Sequence, residues 1–276
     1  MNTVSYGLPY VGSKNLIAEQ IIDLIPSCKN FYDLFGGGGA ITHCAVLSGK
    51  WDTVHYNDFD SQTVSYFQNA LDGKWDTDKF YSRKEFHDLC DINPFVNYVW
   101  SYQCKGKTYF VGKDKERIRT PEELTDELLR ARIDRVKAVG RLPKESIVIT
   151  NKSYDKVKVR HNSVIYVDPP YADTLGYKIG GIDYDAFYDF CEHSKSLVFI
   201  SSYWLPSDRF IPVRCIVKNN AFTKSACVEK VSTGFAVFVL RRFVCEKTFV
   251  LKKETYVIID NMIILFIVSW FVYWCW

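Results

Sequence analysis

Asp168-Pro169-Pro170-Tyr171 sets a carboxylate, two prolines and an aromatic ring directly after an apolar run, Ser163-Val164-Ile165-Tyr166-Val167. The run reads as a buried strand. Proline cannot continue the ladder of a central strand, so the chain must leave the sheet here. In open α/β sheets the carboxyl ends of strands are where ligands bind. Pro169 has no N–H but keeps a carbonyl, which can accept a hydrogen bond from outside the chain. A carboxylate, a fixed carbonyl and an aromatic face together suit a flat ring that bears an amino group. A lone Pro-Pro would read as an ordinary strand-to-loop exit; the acid and the ring on either side carry the chemical reading.

A second constellation lies upstream. Asn30-Phe31-Tyr32-Asp33-Leu34-Phe35 reads as a short strand that runs into Gly36-Gly37-Gly38-Gly39, and residues 40–47 read as a helix. Glycines let backbone approach a ligand closely, and a helix N-terminus supplies donors. By itself such a turn reads equally as a tight corner, and its departure from Gly-x-Gly-x-x-Gly counts against a dinucleotide. Thr53-Val54-His55-Tyr56-Asn57 is a second strand that ends in Asp58. An acid there, about 20 residues past the glycines, can hold the two hydroxyls of a ribose. Asp60 or Ser61 would cap the helix that follows. Gly12-Ser13-Lys14 lacks the spacing of a phosphate loop.

These residues need a sheet to position them. A helix is expected over 13–25, with Ser13 as its cap and Pro26 as its end. Residues 75–145 change character, with basic groups among aromatics, and read as an insert between the halves of a sheet domain. Cys104-Lys105-Gly106-Lys107 looks like a hairpin tip between aromatic strands. Thr120-Pro121-Glu122-Glu123 caps a charged helix to about Val139, made basic by Arg130, Arg132, Arg135 and Lys137. Any one of these cations reads as a solvated face; the segment as a whole suits a nucleic acid backbone and its bases. Strands are then expected at 147–150, 163–167 and 196–201, a helix at 183–191, and an antiparallel edge or hairpin from 210–217 and 235–244. The division is a core half at 1–74, the insert at 75–145, a second core half at 146–250 and an apolar tail at 251–276.

The chain has 276 residues, a formal charge of +3 and 18 Tyr with 19 Phe. A mildly basic balance permits nucleic acid binding without requiring it. Nine cysteines form no Cys-x-x-Cys pair and have no matching histidines, so no metal site is expected and a reducing cytosol is. The N-terminus has neither the charged nor the apolar region of a secretory leader. Residues 256–276 contain one charge, Asp260, and are long enough to cross a bilayer. The Asp260-Asn261 interruption favours a β-rich core segment or a non-native end over a membrane anchor. A cytoplasmic monomer or weak dimer is expected.

In order along the chain, Tyr10-x-Gly12-x-Lys14, Asp33-x-Phe35-Gly36-Gly37-Gly38, Asn57-Asp58, the insert and Asp168-Pro169-Pro170-Tyr171 resemble the motifs of the Dam-like (D12 class) DNA adenine-N6 methyltransferases of bacteria and their phages. The resemblance covers about residues 6–220. It implies an α/β, Rossmann-like S-adenosylmethionine-dependent methyltransferase fold with an inserted target-recognition region. It implies that Tyr10, Lys14, Phe35, Gly36, Gly38 and Asp58 line the cofactor pocket, with Asp58 on the ribose and Phe35 near the adenine or methionine portion. Asp168 would border cofactor and target. Asp168 and the Pro169 carbonyl would accept the two N–H groups of an adenine in double-stranded DNA. Tyr171 would stack on the base, which must be flipped out of the duplex. A cytosine-N4 or RNA methyltransferase shares the architecture, and Asp rather than Ser at 168 favours adenine. A DNA-binding protein with a degenerate fold is the other alternative; the intact glycine run, Asp58 and tetrad stand against it. The family's closing Glu-Lys segment could be Glu229-Lys230 or Glu246-Lys247, and the apolar tail has no counterpart in it.

Overall fold

Apolar runs become parallel strands in the computed structural model, which describes residues 5–170, 182–202, 210–216 and 235–240. The strands are β1 (Cys28–Asp33), β2 (Trp51–Asp58), β3 (Ile147–Asn151) and β4 (Ser163–Val167). They lie in the order β3-β2-β1-β4, every pair parallel. Phe31 pairs with Val54 on one side and Val164 on the other. The last four residues of β1 are buried without alternation, as expected of a parallel strand covered on both faces. Strand order reverses between β1 and β4, which makes their carboxyl ends the switch point of a Rossmann-like α/β sheet.

Helices flank the first two strands. A 3-10 turn at Asn15–Ile17 leads into α1 (Ala18–Leu24), α2 (Ala40–Ser48) follows β1, and α3 (Ser61–Leu71) follows β2. Thr63, Tyr66, Phe67, Ala70 and Leu71 are the buried residues of α3, the spacing of one helical face. Ser13 does not cap the first helix, because the chain enters through the 3-10 turn; its hydroxyl instead accepts the Asn15 N–H at 3.3 Å. Asp60 does cap α3, accepting the Gln62 N–H at 3.0 Å.

Between α3 and β3 lie α4 (Arg83–Leu89), α5 (Pro94–Val99), α6 (Lys113–Ile118), α7 (Pro121–Leu124) and α8 (Arg130–Val139), with a π turn at Thr125–Leu129 joining the last two. The expected aromatic strands around Cys104–Lys107 are not there. One isolated antiparallel bridge, Ser101 to Tyr109, closes the turn. The aromatics preceding it sit on a helix: Asn93 caps α5, Pro94 opens it, and Phe95, Val96 and Val99 bury one face. The Thr120–Glu123 capping box and the charged helix beyond it form as expected. Phe86, Phe95, Trp100, Ile133 and Val136 share one core with Tyr56, Tyr66 and Phe67. Full burial of a side chain such as Phe86 or Phe67 contributes about 1.5–3 kcal/mol, so the insert and the sheet hold each other.

By its internal contacts the chain divides into Met1–Tyr166 and Val167–Trp276. The second unit holds α9 (Tyr184–His193), β5 (Leu197–Ser202), β6 (Phe210–Ile216) and β7 (Phe235–Leu240). β7 is antiparallel to both β5 and β6, which agrees with an antiparallel edge. The tail 256–276 lies outside the described residues. Among the described residues no helix is long and apolar enough to cross a membrane.

Candidate active site

The glycine run makes the corner between β1 and α2, and its backbone is tied on three sides. Gly36 N–H donates to Asn57 O at 2.8 Å, Gly39 N–H to Gly36 O at 2.7 Å, and Leu8 N–H to Gly38 O at 2.6 Å. The Tyr56 hydroxyl donates to Gly37 O at 2.7 Å. The sequence suggests that these glycines leave room for a ligand; the structure gives a second reason. A Cβ on Gly36 would run into the Tyr56 ring, and one on Gly38 would stand 2.6 Å from Tyr10 Cβ. The protein's own rings fill those spaces.

Asp58 ends β2 beside this corner. Its Oδ2 accepts the Gly37 N–H at 2.8 Å and its Oδ1 accepts the Asp60 N–H at 2.9 Å. Burial pushes the carboxyl above the usual carboxylate range, while the amides of Asp60, Gly37 and Phe59 pull it back. Three amides leave acceptor capacity on a carboxylate with about four lone-pair positions. Asp58 and Asp60 therefore do different work, one on the turn and one on the helix.

Asn57, the residue before, joins three strand ends. Its amide donates to Leu34 O at 3.0 Å and Lys152 O at 2.9 Å, and its oxygen accepts from Lys152 N at 3.1 Å and Thr150 Oγ1 at 2.8 Å. Sequence reasoning noted it only as a neighbour of Asp58. Its only sequence signal is an amide directly before the acid that ends the strand.

Tyr10 lies over the turn, its ring 3.1 Å from where a Gly37 Cβ would be and its hydroxyl 3.4 Å from Thr63 Oγ1. Lys14 is 5% exposed, and its ammonium donates to Gly12 O at 3.3 Å. Phe35 stacks on Tyr154 with centroids 5.5 Å apart. Tyr154 follows β3 and was not singled out. Tyr10, Gly36, Gly38 and Asp58 are thus gathered at one corner, with Phe35 covalently next to it.

Asp168, Pro169 and Pro170 lie in the second unit, following Tyr166, which pairs with Asp33 at the end of β1. Pro169 is buried and Asp168 half-buried. Pro170 O accepts the hydroxyl of Tyr184, a contact for which the sequence holds no signal. Tyr171 is outside the described residues.

Several cations of the insert face inward. Arg132 donates to Val99 O and Ser101 O, both at 2.7 Å. Arg135 donates to the carbonyls of Tyr6, Gly7 and Leu8. Arg83 bonds Val111 O and Glu116. The expectation that Arg132 and Arg135 form a basic outer face is corrected: backbone carbonyls of the fold claim both guanidiniums. Lys84, Lys105, Lys107 and Lys113 are exposed, without an acidic partner among the described residues. No three His, Cys, Asp or Glu side chains among the described residues are grouped to hold a metal.

Residues 10–91 match the family model of the D12 class N6 adenine-specific DNA methyltransferases. Tyr10, Lys14, Phe35, Gly36, Gly38 and Asp58 all fall inside that stretch, and Asp168 lies beyond it. No curated protein matches the chain. Among solved structures, the rRNA methyltransferase aviRa from Streptomyces viridochromogenes is similar at 13% identity and a TM-score of 0.38, covering 81% of this chain and 82% of that one. The putative methyltransferase yhhF from Escherichia coli is similar at 13% identity and a TM-score of 0.36, covering 84% and 90%. A putative methyltransferase from Streptococcus mutans in complex with SAH is similar at 10% identity and a TM-score of 0.35, covering 82% and 95%.

Proposed function

We propose that this protein transfers a methyl group from S-adenosylmethionine to the N6 amino group of a flipped adenine in double-stranded DNA. The observation that carries the reading is the contact between Gly37 N–H and the Asp58 carboxylate, at the switch point of the sheet and inside the stretch matched by the family model. The donor set fits the cofactor. Asp58 is held by backbone amides and keeps acceptor capacity for a pair of vicinal hydroxyls, Tyr10, Gly36 and Gly38 cluster at the same corner with Phe35 next to it, and Lys14 is the buried cation four residues past Tyr10. When bound, the cofactor supplies a methyl already activated by its sulfonium.

The protein's own residues do the rest. The adenine amino nitrogen is a poor nucleophile because its lone pair is delocalised into the ring. Asp168 and the Pro169 carbonyl accept its two N–H bonds and favour the pyramidal form, and the carboxylate offsets positive charge that develops on nitrogen. Tyr171 stacks on the base. The Tyr184 hydroxyl on Pro170 O steadies the backbone of this segment. Positioning and electrostatics supply the acceleration. Residues 75–145 read the target sequence, with Lys84, Lys105, Lys107 and Lys113 the cations exposed toward a phosphate backbone. The chain works in a reducing cytoplasm.

The test is incubation with labelled cofactor and defined DNA duplexes and RNAs, followed by nucleoside analysis. N6-methyladenine in DNA is the expected product. Label on cytosine, or on RNA alone, overturns the reading.

A further inference from the structure

Arg135 of α8 reaches a segment more than a hundred residues earlier. Its Nε donates to Gly7 O at 3.0 Å, and its Nη2 donates to Tyr6 O at 2.9 Å and Leu8 O at 2.7 Å. Nη2 also approaches Ser13 Oγ at 3.4 Å. One guanidinium therefore holds three consecutive carbonyls, a task its fixed fork of donors suits and a lysine ammonium does not.

The same segment is gripped from its other side. Gly7 N–H donates to His43 Nδ1 of α2 at 2.9 Å. Leu8 N–H donates to Gly38 O in the glycine turn at 2.6 Å. The fit leaves no room for a side chain: Gly7 has a φ of +66°, and a Cβ there would stand 2.5 Å from Ala40 N. Tyr66 of α3 donates to Pro9 O at 3.4 Å. Residues 6–9 are thus a strap stretched between the insert's last helix and the glycine turn. The next residue is Tyr10, whose side chain packs on Gly37 and Gly38.

We infer that Arg135 is a positioning residue for the cofactor pocket, acting through the strap, and not a nucleic acid contact. The insert thereby sets where Tyr10 and the glycine turn stand, in addition to any contact it makes with DNA. The inference rests on the proposed function only in taking that corner as the place where S-adenosylmethionine binds.

The test compares the full-length protein with Arg135→Lys and with Arg132→Lys, a control on the same helix whose carbonyl partners lie away from the strap. S-adenosylhomocysteine binding is measured by titration calorimetry, and methyl transfer by steady-state kinetics. Arg135→Lys should weaken S-adenosylhomocysteine binding and raise the KM for the methyl donor about tenfold, the effect of losing one or two hydrogen bonds. Its kcat should change far less, and the salt dependence of DNA binding should not change. A phosphate contact would instead lower the salt slope by about one. Arg132→Lys should leave cofactor affinity within about twofold. Equal weakening by both lysine variants, or none by Arg135→Lys, overturns the inference. If Arg135→Lys does not fold, hydrogen exchange on the unaltered protein decides: S-adenosylhomocysteine should slow exchange in residues 5–15 and in 130–139, and slowing that never reaches 130–139 overturns it. An unaltered protein that binds neither cofactor form defeats the proposed function itself, a result distinct from either failure.

Discussion

The Asp58 carboxylate accepts the Gly37 N–H at 2.8 Å, so the end of β2 holds the crest of the glycine turn. Removing the carboxylate frees that amide and the Asp60 amide. Hydrogen bonds to a charged acceptor contribute about 1.5–3 kcal/mol, but burial of the ionised carboxyl opposes this. Asp58→Ala should therefore cost only about 1 kcal/mol of stability in a thermal melt. S-adenosylhomocysteine affinity should fall by tenfold or more, about 1.4 kcal/mol, because the ribose acceptor and the shape of the turn go together. Unchanged affinity in the calorimeter would remove Asp58 from the pocket.

If the proposed function holds, substituting Asp168 should separate binding from chemistry. In Asp168→Ala the Pro169 carbonyl remains, but the carboxylate proposed to accept from the amino group is lost. Methyl transfer to DNA should drop by a factor on the order of a hundred or more, the scale seen when one preorganised electrostatic partner is removed. Cofactor binding should stay measurable, since the glycine turn and Asp58 are untouched. A variant that retains full single-turnover rate would take Asp168 out of the catalytic role.

Local signals made much of this legible in the sequence. The apolar runs of β1, β2 and β4 need no partner to be recognised, and Asp60 and the Thr120–Glu123 box announce their helices by residue type. What stayed hidden depends on pairing across long stretches of chain. β3 returns to β2 only after the whole insert, aligning Asp58 with Asn151. The aromatic residues around 95–110 read as strands because their composition favours strands, yet Asn93-Pro94 starts a helix that takes Phe95 and Tyr98, and the rest pair only through the Ser101–Tyr109 bridge. The inward turn of Arg132 and Arg135 is invisible in the sequence because charge alone does not say which distant carbonyls the fold brings to them.

Asn57 is expected to matter for stability out of proportion to its size. Its amide group donates twice and accepts twice, linking the ends of β1, β2 and β3. Asn57→Asp is nearly the same shape. It would turn the donating edge into a second carboxylate oxygen against the carbonyls of Leu34 and Lys152. With the residue 1% exposed, the cost should be about 2–4 kcal/mol, read as a lower urea midpoint. An unchanged midpoint would mean that the strand ends hold their places without the bridge.

Acid should weaken the fold through two buried imidazoles. His43 is lowered from 6.5 to about 4, first by burial and then by the charges of Arg135 and Arg141, and its Nδ1 must stay unprotonated to accept the Gly7 N–H. His55 is likewise lowered to about 4, by burial and then Arg160, and lies flat on Tyr32 with centroids 4.0 Å apart. The unfolded chain takes up these protons near the ordinary histidine value, the folded chain only near 4. Stability is therefore complete above the unfolded value and declines as pH falls through the window from 6.5 to about 4. Going from about pH 7 to about pH 5 should cost about 2 kcal/mol for each imidazole, before most carboxylates titrate. His43→Asn offers an oxygen to the Gly7 N–H and cannot titrate, so it should remove roughly half of that decline in urea midpoints measured across the window. An identical decline in the variant would show that the clamp on the strap does not depend on the protonation state of His43.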